Sequence, residues 1–449
     1  MSNQRWSPPA RRESRRDVNA PALLVLVVAV GIFATAFVAA KSPKSAVQIV
    51  AAMVLIACAL VYPKVVLILA PFSAIFSQRV GPAAINLSVA DAVCVLAFIA
   101  ALRFVPWGDR RLRIVLLAVA GYLGFLMISL AAHHDQRAIF EWFHRGALYG
   151  GSIIIGVAIV HAGVVKQALR VFIVGSASVG VVAILYLVSH GFEPAEVLGL
   201  NKNHVGLIFA CSFIVLFAAR PQLEWSRLVV VIFEIEAILA LMASQSRGAA
   251  IGVVVAVAIR PLLQHRRGRS RTASLLVLVG AAILLAFSLI SLDSRDLSRT
   301  DQSAQFNSIN SRTNVYNFVL TNVWGQNRFV GAGLRYYMNP ANLTVPAHDI
   351  VIGEMGEAGL SGLVGLVGLL AATFYALRKS RSQLAMMSAM VFVVRLTQGF
   401  VDLYWVAGPL TIALILTGMG LTDGRPDDID PRQYNPSGQL RGNPAAGAV

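Results

Sequence analysis

Five basic side chains have the types and surroundings to do chemistry together. Lys202 lies in "GLNKNHVGLIFA" (199–210), Arg247 in "ASQSRGAAIGVVV" (243–255), Arg312 in "SRTNVYNFV", Arg335 in "VGAGLRYY", and His348 in "VPAHDIVIGEMGEAGLSGLVG" (345–365). A guanidinium keeps its proton and offers a planar fork to phosphate oxygens, so several arginines suit a diphosphate ligand. A neutral imidazole accepts a proton from a hydroxyl as that oxygen attacks. Each residue also has a plainer use. Asn201 and Asn203 are ordinary helix-capping types, Lys202 can snorkel to a membrane interface, and Arg247 can anchor one. Arg295 and Arg299 have Asp293, Asp296 and Asp301 to pair with, whereas Arg312 stands clear of those acids and Arg328 and Arg335 follow it. Gly331 and Gly333 can form a close backbone turn. Glu354 and Glu357 read as helix N-terminal charges favoured by the macrodipole.

These residues must be positioned by membrane helices. The chain of 449 residues is 57% hydrophobic and 13% charged with a mean hydropathy of +0.69, far more apolar than a soluble core requires. The expected fold is all-α, a polytopic helix bundle, because backbone amides in lipid must be satisfied within a helix and the runs lack barrel-like alternation. Spans are predicted at 22–40, 45–61, 65–78, 86–105, 114–132, 143–162, 170–189, 204–219, 227–244, 247–263, 273–292, 355–377, 383–400 and 402–421. Allowing for short ones, about 12 to 14 cross the bilayer. Residues 1–20 form a basic cytoplasmic tail, 21–421 the integral domain, and 422–449, rich in Pro, Gly and Asp, a disordered cytoplasmic tail. The first span is retained, since its Arg-rich lead lacks a processing site.

The formal charge of +16 is explained by topology rather than by nucleic acid. With the N-terminus inside, "RFVPWGDRRLR", "RPQLEWSR", "RPLLQHRRGRSR" and "RKSRS" all fall on the cytoplasmic face, as the positive-inside rule asks. The outer face then receives "HHDQRAIFEWFHR", "HGFEPAEVLGLNKNH", "SQSRG" and one large loop, 293–346. Loops of that length are usually functional or disordered. Val315, Phe318, Val319 and Val323 recur at helical spacing within it and predict a helix against the bundle. Cys58, Cys94 and Cys211 read as small apolar fillers. Asp428 and Asp430 lie in the tail, on the wrong face for a metal site. Glu234, Glu236 and Arg395 lie inside spans, where charges pair with one another or line a wet route.

The order "NKNHVG", "SQSRGA", "SRTNVYNFV", "VGAGLRYY", "PAHDIVIGEMGEAGLSGLVG" resembles the O-antigen ligase family and its polymerase relatives, with their shared "SRG" and "H-[ND]…E-x-G-x-x-G" patterns. The resemblance covers roughly residues 195 to 375, with a looser match in "INLSVADAVCVLAFIAAL". It implies a GT-C-like glycosyltransferase of the bacterial inner membrane that moves a glycan from a polyprenyl diphosphate donor to a lipid- or carrier-linked acceptor hydroxyl on the outer face. It also implies no metal and no cofactor. The family's outer-turn arginine maps onto Arg247, its loop arginine onto Arg312 and its loop histidine onto His348; from their own chemistry, Lys202 and Arg335 are expected to assist at the diphosphate. Two departures stand out: Asp349 occupies a position often held by Asn, and "QNRFVGAG" lacks a proline common before the loop glycines.

A diphosphate is already a competent leaving group, so positive charge and a base are what the reaction needs. Three functions fit. The first is a ligase that attaches a finished polysaccharide, the second a polymerase of the same superfamily, and the third a non-enzymatic transporter using Glu234, Glu236 and Arg395.

Overall fold

The computed structural model describes residues 56–57, 59–77, 88–190, 193–263, 314–338, 347–380 and 382–422. The expected terminal tails, the spans at 22–40 and 273–292, and Arg312 lie outside the described residues. The chain divides into Met1–Val65 and Val66–Val449. All regular elements among the described residues are helical: α1 (Pro63–Ser73), α2 (Val89–Ala101), α3 (Arg110–Ala132), α4 (Gln136–His161), α5 (Val165–Ser189), α6 (Lys202–Ala218), α7 (Arg227–Ser244), α8 (Arg247–Leu263), α9 (Ile350–Arg378), α10 (Gln383–Gly399) and α11 (Pro409–Met419). Four of these, α3, α4, α5 and α9, are long and apolar enough to cross a membrane by length and composition. At about 1.5 Å per residue they reach some 35 to 43 Å.

Helix starts follow local chemistry. Ser88 and Asp91 form a reciprocal capping box on α2. Asp109, Asp135, Asn201, Ser226, Asp349 and Ser382 each accept hydrogen bonds from the first-turn amides of the next helix. Several spans differ from expectation at their N-terminal ends. α9 begins at Ile350 rather than 355 and α4 at Gln136 rather than 143, because polar first turns are paid off by partners elsewhere in the fold. α11 begins at Pro409 rather than 402, because Gly408, at φ 83°, and the proline itself set its first turn.

The interior helix is α4. Its most apolar window is 78% buried, against 28% for α3, 33% for α5 and 39% for α9, so α4 is enclosed by protein while the others present apolar faces outward. It crosses α11 where Gly156 and Gly418 meet the facing backbone with no room for a Cβ. α9 packs along α3, where Gly365 lies against Phe125 and Tyr122. α8 packs on α10, and α7 on α6.

α9 is broken in its third turn. Gly359 has φ 63° and ψ −151°, outside any helical region. The segment 327–336 enters the break. Ala332 N–H donates to the Gly356 carbonyl (2.8 Å) and Gly333 N–H to the Glu357 carbonyl (3.1 Å). Leu360 N–H donates to the Arg328 carbonyl (2.7 Å) and Ser361 N–H to the Phe329 carbonyl (3.2 Å). Loop backbone thus replaces lost helix bonds on both sides of the kink. The turn expected at Gly331 and Gly333 is present, with φ 67° and 96°. The loop helix is present too: Val315, Val319 and Val323 are buried in a cluster with Tyr336, and Phe318 packs against it.

Gly359 and Gly331 each combine positive φ with facing backbone at 2.6 to 2.7 Å from a Cβ position. Gly359→Ala or Gly331→Ala is therefore expected to destabilise by about 2 kcal/mol or more. Gly368→Ala, in a helical position with open space around it, is expected to be neutral or slightly stabilising. Thermal melting of the purified variants in detergent checks this, and equal melting of all three would remove the role given to the kink.

Candidate active site

A cavity of about 910 Å³ opens where the first turns of several helices meet. Ser88 before α2, Asn201 before α6, Asp349 and Ile350 at α9, and Pro409 at α11 all line it. The partial positive ends of these helices therefore face one space. Its charged lining comprises the acids Asp91, Glu141, Asp349, Glu354, Glu357 and Asp402 and the cations Arg145, Arg335 and Arg395.

One wall is organised by Arg145 of α4, whose side chain is 2% exposed. Its Nε donates to Glu141 (3.0 Å), and its Nη1 donates to Glu354 (3.0 Å) and to the Tyr122 hydroxyl (2.9 Å). Its Nη2 bonds Glu357. Tyr122 in turn donates to Glu354 at 3.0 Å, and the Trp405 indole N–H reaches the same carboxylate at 3.3 Å. The guanidinium also lies 4.8 Å from the Trp405 ring centroid. Glu141 extends the network to Arg335 and, through His144, to Asp91, which His144 Nε2 meets at 3.0 Å. Glu354 and Glu357 are therefore not solvated helix-start charges, as their position suggested. They are buried acids held by a cation from another span. Burial and the nearby Glu357 carboxylate push the Tyr336 and Tyr337 hydroxyls up, above the usual phenol range, so both remain donors.

The residues expected from the sequence are distributed unevenly around this cavity. Arg335 lines it in a left-handed backbone conformation, φ 58°, its amide donating to Glu357 at 3.1 Å and its guanidinium paired with Glu141. His348 stands at its edge between the lining residues Ala347 and Asp349. Its Nδ1 is 3.5 Å from Asp402, within ion-pair reach, and the Tyr316 hydroxyl holds its carbonyl at 3.2 Å. Asp349, the departure beside the histidine, is not its partner: that carboxylate caps α9 by accepting from Val351 and Ile352. Asp402, in the link between α10 and α11, is a residue that sequence reasoning missed, and its carboxylate 54 positions away gave no local signal.

Arg247 and Lys202 are exposed first residues of α8 and α6. The two helix starts meet, since Ser246 Oγ donates to Asn203 at 3.3 Å and Gly248 packs against Gln398 and Val401 of α10 and the link that follows it. Asn201 and Asn203 both line the cavity, with Asn201 also capping α6 as its residue type predicted. Among the described residues Arg395 does not form the internal ion pair expected of an intramembrane charge. Its guanidinium binds Gln398 (3.0 Å) and the carbonyls of Leu403 and Tyr404. The exposed ends of α3 and α4 contribute too: His133 Nε2 meets the Gly331 carbonyl at 2.9 Å, so "HHDQRAIFEWFHR" supports the loop as well as the cavity.

Removing Arg145 would leave three carboxylates buried around an empty centre. Arg145→Leu is expected to cost about 3 to 5 kcal/mol. Glu357→Gln, which retains a hydrogen-bonding partner, should cost less. Melting curves of the two variants test the order, and a wild-type melting point for Arg145→Leu would refute it. Residues 235–367 match the family model described as O-antigen ligase, placing this segment in the O-antigen ligase and polymerase superfamily that the motif order indicates. No curated protein matches the chain at a significant level.

Proposed function

With residues 235–367 assigned to the O-antigen ligase family, we propose that the protein is a glycosyltransferase moving a polyprenyl-diphosphate-linked oligo- or polysaccharide to an acceptor hydroxyl, of the ligase type. The observation that carries this reading is the approach of the Asp402 carboxylate to 3.5 Å from His348 Nδ1, which makes no hydrogen bond among the described residues, at the edge of a cavity into which several helix N-termini point. In the reaction the acceptor oxygen attacks the anomeric carbon, the bond from that carbon to the phosphate oxygen breaks, and the diphosphate leaves with the electron pair. His348 takes the hydroxyl proton on its Nε2, while Asp402 orients the ring through Nδ1 and stabilises the imidazolium that forms. Arg247, Arg312 and Lys202 hold the diphosphate, and helix N-termini add partial positive charge. Arg335 assists from the cavity wall, where exchanging Glu141 for a phosphate oxygen would shift its guanidinium.

The remaining parts of the reading concern setting. The bundle is GT-C-like with about 12 to 14 spans in the bacterial inner membrane, both termini are cytoplasmic, and the cavity faces outward. Its domains are the basic tail 1–20, the integral domain 21–421 with the loop 293–346, and the tail 422–449.

Purified wild-type protein is expected to transfer glycan from a polyprenyl diphosphate donor in vitro. His348→Ala and Arg247→Ala should each lower the rate by about 10² to 10⁴. Asp402→Asn should lower it by a smaller factor. Normal transfer by correctly inserted His348→Ala and Arg247→Ala proteins would sink the assignment. A deletion strain separates the acceptors: finished polymer left on its carrier marks a ligase, and accumulated single repeats mark a polymerase. Unchanged glycan with altered solute uptake that depends on Glu234 and Glu236 would mark a transporter instead.

A further inference from the structure

The two large cations buried beside the cavity are compensated differently. Arg145 is surrounded by Glu141, Glu354 and Glu357. Arg395, 1% exposed, has no carboxylate within ion-pair distance among the described residues; its bonds go to a glutamine and two backbone carbonyls. The acids that share the cavity with it are committed elsewhere. Asp91 faces His144 and Ser88, Asp349 caps α9, and Asp402, 3.5 Å from His348 Nδ1, acts on Arg395 only from beyond ion-pair distance. A buried cation without a counter-charge is costly unless something anionic is brought to it.

Polar atoms around Arg395 repeat the pattern. Arg395 Nε, the Tyr404 hydroxyl and His204 Nε2 are all buried without a hydrogen-bond partner among the described residues, and all three residues line the cavity. Such atoms are rare and each costs about 1 to 3 kcal/mol when left unsatisfied. The guanidinium stacks on the Tyr404 ring, 4.9 Å from its centroid. Burial pushes the Tyr404 hydroxyl up, so it is a donor. His204 Nδ1 lies 2.8 Å from Ser77 Oγ; with Ser77 donating, Nε2 carries the proton. In that tautomer the unfilled valences are three donors and a positive charge; the Arg395 Nε and the Tyr404 hydroxyl are donors in either. The first turn of α6 adjoins them, since Gln398 bonds Arg395 and donates to the Asn203 carbonyl at 2.9 Å.

We propose that Arg395, Tyr404 and His204 form a buried anion subsite of the cavity that holds a phosphoryl group of the diphosphate. This deepens the donor reading above and rests on it. It also gives Arg395 a task inside the transfer site, in place of an ion route.

The test uses the full-length protein in detergent with two probes, inorganic diphosphate and farnesyl diphosphate, and reads both binding and melting temperature. Tyr404→Phe removes a hydroxyl that bonds nothing among the described residues, so its unliganded melting temperature should stay level or rise while affinity for the probe falls about tenfold. Arg395→Gln should lower affinity by at least about tenfold. If Arg395→Gln fails to fold, Tyr404→Phe and His204→Phe carry the test alone. Loss for both probes, or for farnesyl diphosphate only, supports the subsite with a lipid-linked source. Loss for inorganic diphosphate with no binding of the farnesyl probe supports an anion subsite but overturns the lipid donor there. Wild-type binding that all variants retain overturns the subsite and leaves the donor reading standing. No binding of either probe by wild-type protein overturns both.

Discussion

The fold around the cavity depends on one buried guanidinium. Arg145 sits on the most enclosed of the four long apolar helices, where an isolated charge would be prohibitive, and its hydrogen bonds reach two other helices while its guanidinium faces the Trp405 ring. Glu354 and Glu357 bring α9, Tyr122 brings α3, and Trp405 adds the link before α11 from the same side. An acid-rich centre of this kind is weakly stabilising in net terms but costly to break, so it specifies which helices meet and in what register. Breaking it strands carboxylates, whereas slipping α9 by four residues would put Ile350 or Ala358 in place of Glu354 and Gly353 or Ser361 in place of Glu357, leaving Arg145 without them.

The second constraint is backbone rather than charge. The E-x-G-x-x-G pattern corresponds to Glu354, Gly356 and Gly359, and each member has a separate job. Glu354 joins Arg145, the Gly356 carbonyl receives Ala332, and Gly359 supplies the left-handed kink that lets 327–336 into the helix. The same interlock delivers Arg335 to Glu141 and Glu357. A motif that reads as a catalytic signature is, in its second half, largely the means by which the segment 327–336 is fastened to α9. His348, at its start, is left at the cavity edge with Asp402 as its nearest acid partner.

Helix content and most span positions were legible because hydropathy, caps and turn residues are local properties. The apolar runs predicted α3, α5, α7, α8 and α10 closely, Asn201 was readable as a cap, and Val315, Val319 and Val323 announced the loop helix. Glu354 and Glu357 were misjudged because the dipole argument is local too, and it could not see a cation some two hundred positions earlier in the chain. Arg145 itself sat in plain view in "FEWFHR", at what read as the polar edge of a span. Only its burial separates it from an interface arginine.

By itself the sequence determined that this chain is a bundle of membrane helices, that its cationic and imidazole groups cluster at loop and helix starts, and that residues 195–375 follow the O-antigen ligase order. Tertiary structure alone decided which charges cancel. Pairing in a low-dielectric interior depends on distances between distant spans, which composition and spacing do not encode. So it was the fold that gave Arg145 its three acids, brought Asp402 rather than the adjacent Asp349 towards His348, and left Arg395 beside the cavity with no carboxylate in ion-pair reach among the described residues.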